Sequence, residues 1–166
     1  MATKAKARTL EITVLSAEDL RINGKAANNN VFVLVRAESL IGHTTTMKVS
    51  GGGGGFHSWN EKFLVKLGVH ASSMTFEVKC KTTTGTKDIG VARIALKDFL
   101  GGLVPDSCLQ FLSYRLIDWD GLRNGIVNFS VKMVTPETLV GGSCEIQKAS
   151  PGVVIGIPIW WNNHRQ

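Results

Sequence analysis

Cysteine and proline are both scarce, at three and four residues in a chain of 166. So little proline, with no glycine repeat of period three, excludes a collagen-like chain, and ordinary apolar content with modest charge excludes wholesale disorder. Cys80, Cys108 and Cys144 are odd in number, widely spaced and without a CxxC pair, so neither a disulfide framework nor a zinc site is indicated. Tyr114 is the only tyrosine, and the phenylalanines fall mostly on core-facing positions. Nucleic acid binding, which needs aromatic and basic side chains interleaved for stacking, is therefore not expected. No apolar run approaches the ~20 residues of a membrane span, and the longest, Gly152 to Trp161, is about half that. No signal-like stretch follows the N-terminus, and Ala at position 2 excludes N-myristoylation, so a soluble, cytoplasmic protein is expected.

Catalytic signatures are lacking as well. There is no GxSxG elbow, and Gly51 to Gly55 lacks the Gly-Lys-Ser/Thr ending of a phosphate-binding loop. His43, His57, His70 and His164 have no metal-ligand spacing among themselves, and the adjacent His57 and Ser58 would point apart on a strand. The expectation is a protein that is not an enzyme and has no cofactor.

What the chain has is a basic excess, 19 Lys plus Arg against 13 Asp plus Glu, for a net +6. Half of it, from Lys4, Lys6 and Arg8, lies in residues 1–8, a short basic arm. Between 9 and 134 the sequence alternates apolar and polar residues in short runs separated by Gly, Asn, Ser and Thr. Leu10, Ile12 and Val14 alternate with Glu11 and Thr13, and similar runs recur at 31–37, 43–49, 61–67, 74–81, 89–96, 109–116 and 125–134. Eight strands and a single helical turn near Leu96 to Leu100 predict an all-β, eight-stranded antiparallel β-sandwich. Residues 135–166 form a separate tail, broken by Pro136, Pro151 and Pro158 yet rich in apolar side chains.

Several of these blocks, in order, resemble a plant C2 domain. Trp59-Asn60-Glu61-Lys62-Phe63 matches that family's Trp-Asn-Glu-x-Phe signature, and Asn29-Asn30-Val31-Phe32-Val33-Leu34-Val35 sits where it has Ser-Asp-Pro-Tyr-Val-x-Val. Ala17 to Leu20, Asp88-Ile89-Gly90, Tyr114-Arg115-Leu116 and Gly125 to Phe129 look like its remaining blocks. With no strand before Arg8, the resemblance implies the type II topology. Within the family, the copine-associated (Bonzai-associated) proteins of plants are similar in ending with a short tail such as Gly156-Ile157-Pro158-Ile159-Trp160-Trp161.

The resemblance also implies where calcium would bind, because calcium-dependent members gather carboxylates from loops at one end of the sandwich. Ca²⁺ needs six to eight hard oxygen ligands and compensating negative charge. Here Asn30 replaces one aspartate, and Val78-Lys79-Cys80-Lys81-Thr82 stands where the family has Val-x-Asp-x-Asp. Only Asp88 remains as an acidic candidate, with Asp118 and Asp120 in a later hairpin loop as weak additions. Lys79, Lys81 and Lys87 make the loop positive instead, so calcium is not expected.

The resemblance further implies a basic patch for anionic phospholipid. Lys62 and Lys66 share one face of the fourth strand, Lys79 and Lys81 one face of the fifth, and adjacency of those strands would merge them, with Lys48 and Lys87 extending the patch. These lysines either dock on lipid or simply solvate an exposed sheet. In the tail, Ile157, Trp160 and Trp161 either pack back on the sandwich or contact a membrane or partner. The expected function is a calcium-independent adaptor at the plasma membrane that binds a copine-like protein and restrains plant defence and cell death. The alternative is a calcium-responsive stress sensor with a metal site rebuilt from Asp88, Asp118 and Asp120.

Overall fold

The computed structural model describes residues 8–28, 30–37, 42–49 and 54–134. The elements run β1 Arg8–Glu18, β2 Arg21–Ile22, β3 Lys25–Ala26, β4 Val31–Arg36, β5 His43–Thr44 and β6 His57–Leu67. They continue with β7 Ser73–Thr82, β8 Gly85–Ala95, a 3-10 turn Leu96–Asp98, β9 Gln110–Ile117 and β10 Arg123–Val134. Eight of the strands hydrogen-bond in the order β5-β4-β7-β8-β9-β10-β1-β6. The β8–β9 join is the single pair Val91↔Ile117, so the order divides there into two four-stranded sheets. These sheets face one another, since Phe76 of β7 stacks on Phe129 of β10 with ring centroids 4.3 Å apart. The expected antiparallel β-sandwich is the fold.

The alternation that predicted the strands also builds the core. Leu10, Ile12 and Val14 on β1 and Val31, Val33 and Val35 on β4 are fully buried, while the intervening residues face outward. Burying Phe76 or Phe129 completely is worth ~1.5–3 kcal/mol each. In β1 the pairing with both neighbours shifts between Val14 and Ser16, and this bulge at Leu15 returns Ala17 to the buried face.

Three local features depart from expectation. β6 begins at His57 rather than at Glu61, so Trp59 lies inside the strand; it is buried and its indole N–H donates to the Thr46 carbonyl at 2.9 Å. β5 is two residues long; beyond it Thr45 N–H donates to the Val33 carbonyl and Lys48 bridges Val31. The β2–β3 hairpin was not expected; its turn is Asn23-Gly24, with φ of 52° and 75°, the left-handed pair that a tight two-residue hairpin requires.

The antiparallel register gathers alternate connections at one end. Ala17 lies opposite His57, Glu18 opposite Ile126, Val31 opposite Cys80 and Arg123 opposite Ile117. The end of β1, the starts of β4 and β6, and the β7–β8 and β9–β10 turns therefore share one end, called the loop end below.

Candidate functional site

At the loop end, Asn124 ties three elements together. Its side-chain amide donates to the carbonyls of Arg21 (2.9 Å) and Ile89 (2.8 Å), and its Oδ1 accepts from the Arg21 N–H at 2.9 Å. The next residue, Gly125, has φ of 83°, and a Cβ there would meet the Glu18 carbonyl oxygen at 2.5 Å. His57 is buried against Trp59, ring centroids 6.0 Å apart, and neither ring nitrogen has a partner at hydrogen-bond geometry. Burial holds its pKa below the ordinary value, partly offset by the nearby Gly55 backbone.

The residues at the family's calcium positions are otherwise engaged. Asp88 Oδ1 lies 2.7 Å from the Lys79 ammonium, which also contacts Glu77 at 3.0 Å. The Asp88 hydrogen bond is the main reason that Lys79 is held protonated above its usual range, against the cost of its partial burial. Cys80 is buried, which raises its thiol pKa, and Thr82 donates its hydroxyl to the Gly85 carbonyl at 2.9 Å. Asp118 Oδ1 accepts from the backbone N–H groups of Asp120 and Leu122 at 3.0 and 2.8 Å, organising its own turn. Among the described residues no three acidic, His or Cys side chains form a group able to hold a metal ion. Asp88 is thus paired with an ammonium and Asp118 with the N–H groups of its own turn, whereas a hard cation needs six to eight oxygens.

The structure does not merge the six lysines into one patch. β6 and β7 are consecutive in the chain but lie in different sheets, so Lys62 and Lys66 are not beside Lys79 and Lys81. Lys62 is paired with Glu11 at 3.0 Å, and Lys132 approaches the same carboxylate at 3.4 Å. Partial burial would raise the Glu11 pKa, but the two ammonium groups outweigh it and lower it. Lys79 is neutralised as described. Lys48, Lys81 and Lys87 instead gather at the loop end, because Lys48 bridges Val31, Val31 pairs Cys80, and Cys80 pairs Lys87.

At the same end stand exposed apolar side chains that the sequence reading overlooked. Trp119 is 81% exposed and Leu122 64%, both in the 118–122 hairpin, while Met47, Val49 and Phe56, which precede β6 in the chain, are exposed as well. Trp119 also lines a hollow of about 230 Å³ with Lys79, Asp88, Val91 and Ile117. The available signal was a tryptophan between two aspartates in a five-residue hairpin loop, too short to fold it into the core. Ile157, Trp160 and Trp161 lie outside the described residues, as do Lys4 and Lys6.

Sandwich topology and loop end together define the class. The C2 domain pattern matches residues 8–111, and the chain belongs to the C2-domain family. BON1-associated protein 2 of Arabidopsis thaliana is 37% identical over 134 residues, covering 78% of this chain and 63% of that protein, a relationship that fits a small plant C2 protein of the Bonzai-associated group. Protein SRC2 of Glycine max is 27% identical over 134 residues, covering 75% of this chain and 46% of its own length. The match thus spans less than two thirds of either relative. The C2A domain of plant extended synaptotagmin 1 superposes with a TM-score of 0.60 at 18% identity, over 76% of this chain and 93% of that one, a likeness of fold. Among the described residues no helix is long and apolar enough to cross a membrane.

Proposed function

We infer that this protein is a non-enzymatic C2 adaptor that docks on anionic phospholipid through its loop end without calcium. The observation that carries this is that Trp119, Leu122, Phe56, Val49 and Met47 are exposed at the same end of the sandwich that holds Lys48, Lys81 and Lys87. Tryptophan partitions to the bilayer interface, and each lysine near an anionic surface contributes ~1 kcal/mol. Calcium is replaced rather than recruited: the Lys79 ammonium neutralises Asp88 where a metal would otherwise sit. Lys62 and Lys66, on the outer face of the other sheet, add long-range attraction rather than direct contact. The working location is cytoplasmic, at the inner face of the plasma membrane.

The protein partner is a copine, and the process served is restraint of plant defence and cell death; the kinship with BON1-associated protein 2 supports both. The tail residues Ile157, Trp160 and Trp161 are the proposed partner contact. Co-sedimentation with phosphatidylserine vesicles tests the docking: Trp119→Ala with Leu122→Ala should abolish pelleting while the unfolding midpoint stays unchanged. Full retention of pelleting by that variant would refute loop-end docking. Trp160→Ala with Trp161→Ala in the full chain should lose copine capture and keep vesicle binding.

A further inference from the structure

At the end of the sandwich opposite the loops, where β1 begins and β8 runs into the 3-10 turn, lies an open groove of about 660 Å³. Arg8, Arg93 and Lys97 line it together with Ser73, over the apolar side chains of Leu96 and Leu100, and no lining residue is acidic. None of the three cations is in an ion pair among the described residues, whereas Arg21, Lys62, Lys79 and Lys132 elsewhere each face a carboxylate.

Arg93 is also oriented. Its Nε–H donates to the Ser73 hydroxyl at 3.1 Å, which fixes the guanidinium plane and leaves the four terminal N–H groups for a ligand. That fork matches two oxygens of one phosphate, while an ammonium such as Lys97 acts as a point charge. Three like charges around one groove repel one another, and a polyanion relieves that repulsion as it binds. A lone phosphate would fill little of the volume.

We propose that this groove is a second binding site, separate from the loop end, for a ligand carrying two or more phosphate groups. Arg93 grips one phosphate bidentately, Arg8 and Lys97 neutralise the rest, and the apolar floor at Leu96 and Leu100 carries the ligand's non-phosphorylated body. An inositol phosphate in solution and the headgroup of a phosphoinositide share this chemistry.

Calorimetric titration of the full chain with inositol trisphosphate tests the site. Binding should be one-to-one and should weaken about tenfold or more in Arg93→Gln with Lys97→Gln, the equivalent of one lost charge-assisted hydrogen bond. Arg93→Lys keeps the charge but not the fork and should fall between. Lys62→Gln with Lys66→Gln should bind as the parent does. Since Arg93→Gln also removes the Ser73 bond, unfolding midpoints are compared, and the exposed Lys97→Gln alone serves if the double variant does not fold. A parallel arm uses phosphatidylcholine vesicles with and without phosphatidylinositol bisphosphate. Capture that the groove variant alone loses identifies a lipid-borne ligand, whereas response to the soluble probe only identifies a free one; each supports the site. No binding in either arm, or equal weakening by the groove variant and the Lys62/Lys66 control, would overturn it. Trp119→Ala with Leu122→Ala should leave inositol trisphosphate binding unchanged, which separates this site from the docking surface.

Discussion

Asn124 commits its side-chain amide and carbonyl oxygen to three backbone groups on two other segments, at Arg21 and Ile89. Its truncation leaves those groups without their partner, so Asn124→Ala should lower stability by ~1–3 kcal/mol in denaturant unfolding. His57 gives a pH signature. Its pKa is lowered in the folded state, chiefly by burial, so the unfolded chain binds the proton more readily. Its stabilising contribution is complete above the unfolded value near 6.5 and is lost as pH falls through that value toward the folded one. The unfolding midpoint should therefore drop between about pH 7 and about pH 5, and His57→Phe should flatten that slope. Glu11 acts in a more acidic window: its lowered pKa gives stability that is present above 4.5 and disappears as pH falls through the folded value. A slope between pH 7 and 5 that His57→Phe leaves intact would assign it to another group.

Among the elements, the long strands were legible because each buries one face, and an apolar side chain at every second residue is the direct record of that. The β2–β3 hairpin was not: two residues on each side of Asn23-Gly24 are too few to carry a period. The site was legible only in part. The loss of aspartates at Asn30, Cys80 and Thr82 could be read directly, as could the positive charge at Lys81 and Lys87. The spatial grouping of the lysines could not, because the chain crosses from one sheet to the other between β6 and β7, so neighbours in sequence are not neighbours in space. The contact between Glu11 and Lys132 likewise depends on β1 pairing with β10. At the start of β10, Gly125 allows β1 and β10 to approach where a Cβ would strike the Glu18 carbonyl oxygen. Gly125→Ala, strained both by its positive φ and by that contact, should cost ~1–3 kcal/mol, read as a shift in urea midpoint.

For the whole molecule, the +6 net charge is distributed rather than pooled. One set of lysines borders the apolar loop end, another surrounds Glu11 on the outer sheet face, and a third group of cations lines the groove at the far end. Membrane docking should accordingly be sensitive to salt, since the electrostatic share is screened over ~8 Å at physiological ionic strength, yet not abolished by it, because Trp119 and Leu122 contribute through burial. On the proposed function the Lys79–Asp88 pair stands in place of a metal, so docking needs no calcium. Sedimentation of the full chain with phosphatidylserine vesicles, once in EGTA and once in saturating calcium, tests it most directly. Equal pelleting in the two conditions is the predicted result; pelleting that requires calcium and disappears in EGTA would contradict the account.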